Sequence, residues 1–264
     1  MDILWVAVVL GIVEGLTEFL PVSSTGHLIV AGRLLGFTGE RAGTFEIFIQ
    51  MGAILAVVVF EWGRFVGLLR TDPARAFSGP RGVGLLFLTT LPALAAGALL
   101  HGFIKARLFG PGPVAIGLAA GGVLILVVER LRPTPRIDGV DALGWRQALA
   151  IGLFQCLAMW PGVSRSGATI VGGLLCGLER RTAATYSFLA AVPVLTAATA
   201  LDLYKGIGAL SAADIAPFVV GFLVAFVAAW AAIRTFVAIL ARHTLVPFAW
   251  YRLAVAPAVW WLVR

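Results

Sequence analysis

Two carboxylates four positions apart, Glu14 and Glu18, open an otherwise oily stretch that continues through Pro21 into Ser23, Ser24, Thr25, Gly26 and His27. On a helix that spacing puts both carboxylates on one face, with Cβ atoms roughly 5–6 Å apart. In a low dielectric each opposes the ionisation of the other unless a cation lies between them. A hard divalent ion such as Mg²⁺, completed by water and phosphate oxygens, meets that need. The other solution is a protonated pair hydrogen-bonded to a neighbouring helix. The hydroxyls that follow read singly as ordinary helix caps. Together they mark a helix start whose free N–H groups favour an anion. His27 lies three residues after Ser24, so a helix beginning near Ser24 sets both on one face as a nucleophile and its base.

A second polar stretch, "PGVSRSGAT" from Pro161 to Thr169, has Arg165 between Ser164 and Ser166, with Thr169 one turn further on. Gly162 and Gly167 permit close backbone approach. An arginine at membrane depth marks a function and asks for an anionic partner. Its planar fork suits phosphate oxygens, and a salt bridge to Glu14 or Glu18 is the structural alternative. A metal-binding carboxylate pair, a hydroxyl beside a histidine, an arginine and helix N-termini suit phosphoryl transfer, where catalysis is mostly positioning and charge neutralisation. In a chain this apolar the substrate expected is a lipid-linked phosphate. No P-loop, dinucleotide fingerprint, Cys/His metal cluster or G-x-S-x-G elbow is present. The rival reading is an ion-coupled transporter or flippase of an anionic lipid or solute, which also uses carboxylates and an arginine. Such a carrier has no need of the Ser24 and His27 pair.

The elements that hold these residues follow from composition. The 264 residues are 60% hydrophobic and 12% charged, with mean hydropathy +0.99. Soluble domains carry about 25% charged residues, so the chain reads as an all-α polytopic membrane protein. Six apolar runs suit crossings: Phe45–Phe60, Val83–Leu100, Val114–Val128, Tyr186–Leu203, Phe218–Val237 and Pro247–Leu262. The net charge of +7 is spread between these runs, which speaks for topology and against nucleic acid. If the first crossing runs inward, thirteen basic residues from Arg64 to Arg252 fall on the cytoplasmic side and six from Arg33 to Arg264 on the other. Cys156 and Cys176 read as small buried hydrophobes. Tryptophans such as Trp62, Trp250, Trp260 and Trp261 lie near segment ends, as an interfacial belt would. Without a basic start or a small-residue cleavage site, the first 20 residues do not read as a cleaved signal peptide.

Shifting the sequence by 141 residues lays Gly11–Ala56 over Gly152–Ala197 without a gap, with 13 identities in 46 pairs. Each unit reads as apolar helix, broken loop, apolar helix, polar turn and long span. Three crossings between the units invert one relative to the other, an architecture in which broken helices meet around one midplane site. The expected organisation is a single membrane domain over residues 1–264. One repeat covers about 1–70, with a re-entrant hairpin at 2–36. The other covers about 145–206, with a hairpin at 145–178. Where the first repeat has Glu14, Glu18 and Ser24, the second has Gln155, Met159 and Arg165, so acid and metal chemistry falls to one half and anion binding to the other.

"EGLTEFLPVSSTGH" and "PGVSRSGAT" resemble the two signature motifs of the bacterial undecaprenyl pyrophosphate phosphatases of the bacitracin-resistance type. The resemblance extends over essentially the whole chain, with no departure at a motif position. It implies six transmembrane helices plus two re-entrant hairpins in an inverted-topology repeat, in the bacterial cytoplasmic membrane, with a site open to the periplasm. It implies release of phosphate from undecaprenyl pyrophosphate, which returns the lipid carrier to cell-wall synthesis and confers bacitracin resistance. A divalent cation, Mg²⁺ or Ca²⁺, is implied on Glu14 and Glu18, with Ser24 as nucleophile and His27 as base or proton shuttle. Arg165 would grip the pyrophosphate, helped by Ser23, Thr25, Ser164, Ser166 and Thr169. The resemblance leaves open a homodimer, and also attack by an activated water in place of a serine.

Overall fold

The computed structural model describes residues 2–108, 110–131, 133–206 and 211–262, and among these no strand forms. Of the charges counted for topology, Arg132 and Arg264 lie outside the described residues, as do the side chains of Lys105 and Lys205. The helices are α1 (Ile3–Thr17), α2 (Ser24–Leu34), α3 (Glu40–Phe60), α4 (Trp62–Gly67), α5 (Gly79–Arg107), α6 (Pro111–Leu131), α7 (Trp145–Gln155), α8 (Arg165–Leu175), α9 (Arg180–Gly206), α10 (Ile215–Leu240) and α11 (Val246–Leu262). The chain is an all-α polytopic membrane protein. Helices α3, α5, α6, α9 and α10 each contain a stretch long and apolar enough to cross a bilayer. The sixth predicted crossing falls on α11, whose 17 described residues rise about 25 Å against a hydrocarbon core of about 30 Å.

The two sequence units fold as the same series of elements. Helix α1 packs on α2 and α7 on α8, so each pair closes into a hairpin, and α3 and α9 follow them and touch. Each hairpin leans on the opposite half of the chain, α1 on α10 and α7 on α5, while α6 pairs with α11. The match reaches the backbone. Ser23 (φ 72°) and Ser164 (φ 74°), paired in the repeat, are the residues other than glycine with positive φ among those described. Gly36 and Gly177, also paired, take positive φ after the second arm of each hairpin.

With arms of 15 and 11 residues, the first hairpin is too short to span on either leg. Asp2 starts it by accepting the Leu4 N–H at 3.0 Å. A break over residues 18–23 then returns the chain as α2. The second hairpin loosens into a 3₁₀ turn at Cys156–Met159 before its break and resumes at Arg165. Cys156 and Cys176 are only half-buried, less enclosed than their sequence surroundings suggested. Prolines interrupt α5 at Pro92 and α9 at Pro193 without ending either helix.

Loops at one end of the molecule are tied to one another. Arg64 and Asp141 form an ion pair, and Asp141 also accepts the Phe77 N–H at 2.7 Å. The Gly139 N–H donates to Thr182 Oγ1 at 2.8 Å, and Arg180 and the Leu245 N–H both bind Glu129. A separate ion pair joins Arg41 at the start of α3 to Asp214 just before α10.

Candidate active site

The two breaks face each other and exchange bonds. At the start of α2, Ser24 Oγ donates to Glu18 Oε2 at 2.6 Å. The other oxygen of Glu18 accepts from Arg165 Nη2 at 3.1 Å. A hydroxyl, a carboxylate and a guanidinium are thereby joined across residues almost 150 positions apart in the sequence. This is the salt bridge that the sequence offered as an alternative role for Arg165. The Arg165 side chain is 10% exposed, lies over the Phe19 ring at 5.4 Å, and donates through Nη1 to the Ser187 carbonyl at 3.0 Å. Its Nε has no partner although buried.

His27 is placed differently from expectation. Its Nδ1 lies 2.7 Å from the Ser23 carbonyl, which only accepts, so Nδ1 carries the proton. Nε2 of the neutral ring then accepts from Tyr251 Oη at 2.7 Å. The predicted Ser24 and His27 pairing gives way to Ser24 with Glu18 and His27 with Tyr251. The cause is backbone geometry. Ser23, at positive φ, turns its carbonyl back onto the first turn of α2 and captures the imidazole.

The second break is stitched by its own hydroxyls. Ser166 Oγ donates to the Leu20 carbonyl at 2.8 Å, across to the first break. Ser164 Oγ therefore donates to Ser166 Oγ at 3.0 Å and accepts the Gly167 N–H at 3.1 Å. These two serines, expected to hold anion oxygens, hold the loops together. Thr169 Oγ1 lies 2.7 Å from Ser187 Oγ, beneath Arg165. Thr25 is half-buried on the first turn of α2.

Glu14 is 1% exposed on α1, and its Oε1 is buried without a hydrogen-bond partner. That orphaned hard oxygen, one turn from Glu18, fits a divalent cation. Two carboxylates stand against the single guanidinium of Arg165 here. Among the described residues no third His, Cys, Asp or Glu joins them as a metal cluster. Glu46 Oε1 stands beside Gly32 of α2. Gln50 is turned towards Thr199, whose hydroxyl it accepts at 3.2 Å.

Three contributors escaped sequence reasoning. Ser187 is the repeat partner of Glu46, a pairing that could have drawn attention to it. Tyr251 and Arg252 sit together in α11. Arg252 had been counted as a cytoplasmic loop residue, but it is 0% exposed inside the protein. Its guanidinium donates to five carbonyls: Leu118 (3.1 Å), Pro21 (3.0 Å), Gly117 (3.2 Å), Gly162 (2.9 Å) and Val163 (2.8 Å). It thus ties both breaks to α6. Gly121 makes room for it, because a Cβ there would collide with Nη2. Gly162 combines φ of 95° with contact on the Val114 carbonyl that no side chain could share.

Known proteins are similar to the chain over nearly its whole length. An undecaprenyl-diphosphatase of Nitratidesulfovibrio vulgaris (strain DP4) is 56% identical over 257 residues, 97% of each chain. One of Maridesulfovibrio salexigens is 56% identical over 259 residues, 98% of each. One of Desulfovibrio desulfuricans is 54% identical over 263 residues, 100% of this chain and 99% of the other. Residues 7–258 match the family described as bacitracin resistance protein BacA. With a match that runs through both breaks and nearly every helix, the chain belongs to the bacitracin resistance protein BacA family.

Proposed function

We propose that the protein is an undecaprenyl-diphosphate phosphatase, an integral membrane hydrolase that converts undecaprenyl pyrophosphate to undecaprenyl phosphate and inorganic phosphate. The observation that carries this reading is the 2.6 Å bond from Ser24 to a carboxylate that is itself held by Arg165. A carrier needs the charges but not an activated hydroxyl. Ser24 Oγ attacks the terminal phosphorus while Glu18 takes its proton, and the bond to the bridging oxygen breaks to release undecaprenyl phosphate. Water then attacks the phosphoserine phosphorus, the bond to Ser24 Oγ breaks as Glu18 returns its proton to that oxygen, and the proton lost by the water leaves with the phosphate or to solvent. Arg165, freed from Glu18 as that carboxylate is protonated, holds phosphate oxygens with its fork. Glu14 and Glu18 would hold a divalent cation, Mg²⁺ or Ca²⁺, which when bound neutralises charge on the pyrophosphate.

The hairpins are proposed to be re-entrant and oppositely oriented, since their arms are too short to span and each packs on the other half of the chain. The setting is the bacterial cytoplasmic membrane, and the site opens towards the periplasm. The test is phosphate release from undecaprenyl pyrophosphate by the purified protein in detergent, with Mg²⁺ or Ca²⁺, with EDTA, and with Arg165→Ala. Metal-dependent release that is lost with EDTA and in the variant is expected. No release from a folded preparation overturns the enzyme.

A further inference from the structure

Away from the hydroxyl and carboxylate cluster, the ends of α6, α9 and α11 enclose an opening of about 1070 Å³. Arg130 and Arg180 line it, with an apolar wall of Leu126, Pro133, Val246 and Trp250. Arg180 is fixed by protein alone. Its Nε and Nη2 donate to the two oxygens of Glu129 at 3.0 and 2.5 Å. Glu129 in turn accepts the Leu245 N–H at 2.9 Å. The Glu129 side chain is 4% exposed and that of Arg180 33%, so the carboxylate is covered while part of Arg180, which lines the opening, stays accessible. Arg130, the next residue after Glu129, is exposed. Two guanidinium groups against one carboxylate leave the opening positive. Trp250 stands 61% exposed on its apolar side.

Its place in the molecule says which anion fits. The opening lies among the tied loops of the arginine-rich end, which charge distribution assigns to the cytoplasmic face. Basic pockets between transmembrane helices on that face take phosphate headgroups of anionic lipids, and a tryptophan ring suits headgroup depth. A free anion makes no use of an apolar wall, whereas an amphiphile uses both the charge and the wall. We propose that this opening binds the phosphate headgroup of an anionic membrane lipid. The same three helices lead from here to the site. Ser187 lies seven positions after Arg180 in α9, and Arg252 six after Val246 in α11, about 9–11 Å of helix each. A lipid seated there braces the helices that hold both breaks.

Thermal unfolding and native mass spectrometry of the purified full chain, titrated with phosphatidylglycerol, phosphatidylcholine or inorganic phosphate, test this. Phosphatidylglycerol is expected to raise the midpoint and remain as a bound adduct, and phosphatidylcholine to do neither. Arg130→Gln, an exposed change, is expected to weaken retention about fivefold, as loss of one basic residue at a membrane surface does. Arg180→Lys should weaken it too, by removing the fork while keeping a cation for Glu129. Phosphate release should be unchanged in Arg130→Gln. Equal effects of the two lipids, or equal retention in Arg130→Gln, overturn the site. A shift by inorganic phosphate that matches the lipid's and is lost in Arg130→Gln makes this a free-anion site and overturns the lipid assignment.

Discussion

Ser24 and Glu18 are joined by a 2.6 Å hydrogen bond, and under the proposed mechanism removing the hydroxyl slows the chemistry more than it weakens substrate binding. Ser24→Ala is expected to lower kcat of phosphate release by roughly 10²–10⁴-fold with KM changed far less, whereas Glu18→Gln, which also removes a proposed cation ligand and the partner of Arg165, is expected to lower kcat and raise KM together. Near wild-type kcat in Ser24→Ala would sink the serine mechanism in favour of water attack. Arg252 calls for a different measurement. Arg252→Met leaves the Pro21, Gly162 and Val163 carbonyls of the two breaks without this donor, while Gly117 and Leu118 keep the helical bonds of α6. Orphaned groups cost about 1–3 kcal/mol each, so a loss of at least about 3 kcal/mol is expected even after relaxation. Chemical unfolding in detergent would read it, and a loss under about 1 kcal/mol would show that the tie is dispensable. Arg165 was legible in the sequence because it stands in a polar stretch flanked by glycines. Arg252 was not, although the same rule about arginines at membrane depth applied to it. An arginine satisfied by carbonyls needs no acidic partner, so no charge pattern betrays it.

The breaks show how much a repeat can tell about helices. The 141-residue shift pairs Ser23 with Ser164, and both adopt the same unusual backbone conformation. Their side chains then diverge, because Ser164 caps the Gly167 N–H and Ser23 makes no cap bond. Ser164→Ala should therefore cost about 1 kcal/mol of stability, the usual worth of such a cap. Ser23→Ala should cost little. Equal costs in unfolding experiments would mean that the shared backbone, not the cap, sets the stability of each break. Helix type and the position of each break were readable because apolar runs, Pro and Gly act locally. All six predicted crossings lie inside helices of the structure. The contacts of His27 were not readable, since they depend on where one carbonyl points and on Tyr251, which lies 224 residues away. Ser187 was hidden for a related reason: the repeat sets it against Glu46, a residue of different chemistry.

At the scale of the whole molecule, charge distribution and three-dimensional contacts agree on two ends. Removing Arg252 from the thirteen cytoplasmic residues leaves twelve against six, still a strong bias. The loops that this bias puts on one side are the ones joined through Asp141, Thr182 and Glu129. The Arg41 and Asp214 pair joins segments assigned to the other side. Composition could rank the two faces, but only folding could show that loops far apart in the chain meet. Which face is cytoplasmic can be read by labelling single cysteines placed in a chain whose Cys156 and Cys176 have been replaced by alanine. Thr38→Cys and Ser211→Cys, both exposed near the Arg41 and Asp214 end, are expected to react with a membrane-impermeant maleimide in intact cells. Arg75→Cys and Arg136→Cys, exposed at the arginine-rich end, should react only after permeabilisation. The reverse pattern would invert the molecule, turning the proposed lipid opening towards the periplasm and removing the basis for reading it as a cytoplasmic headgroup site.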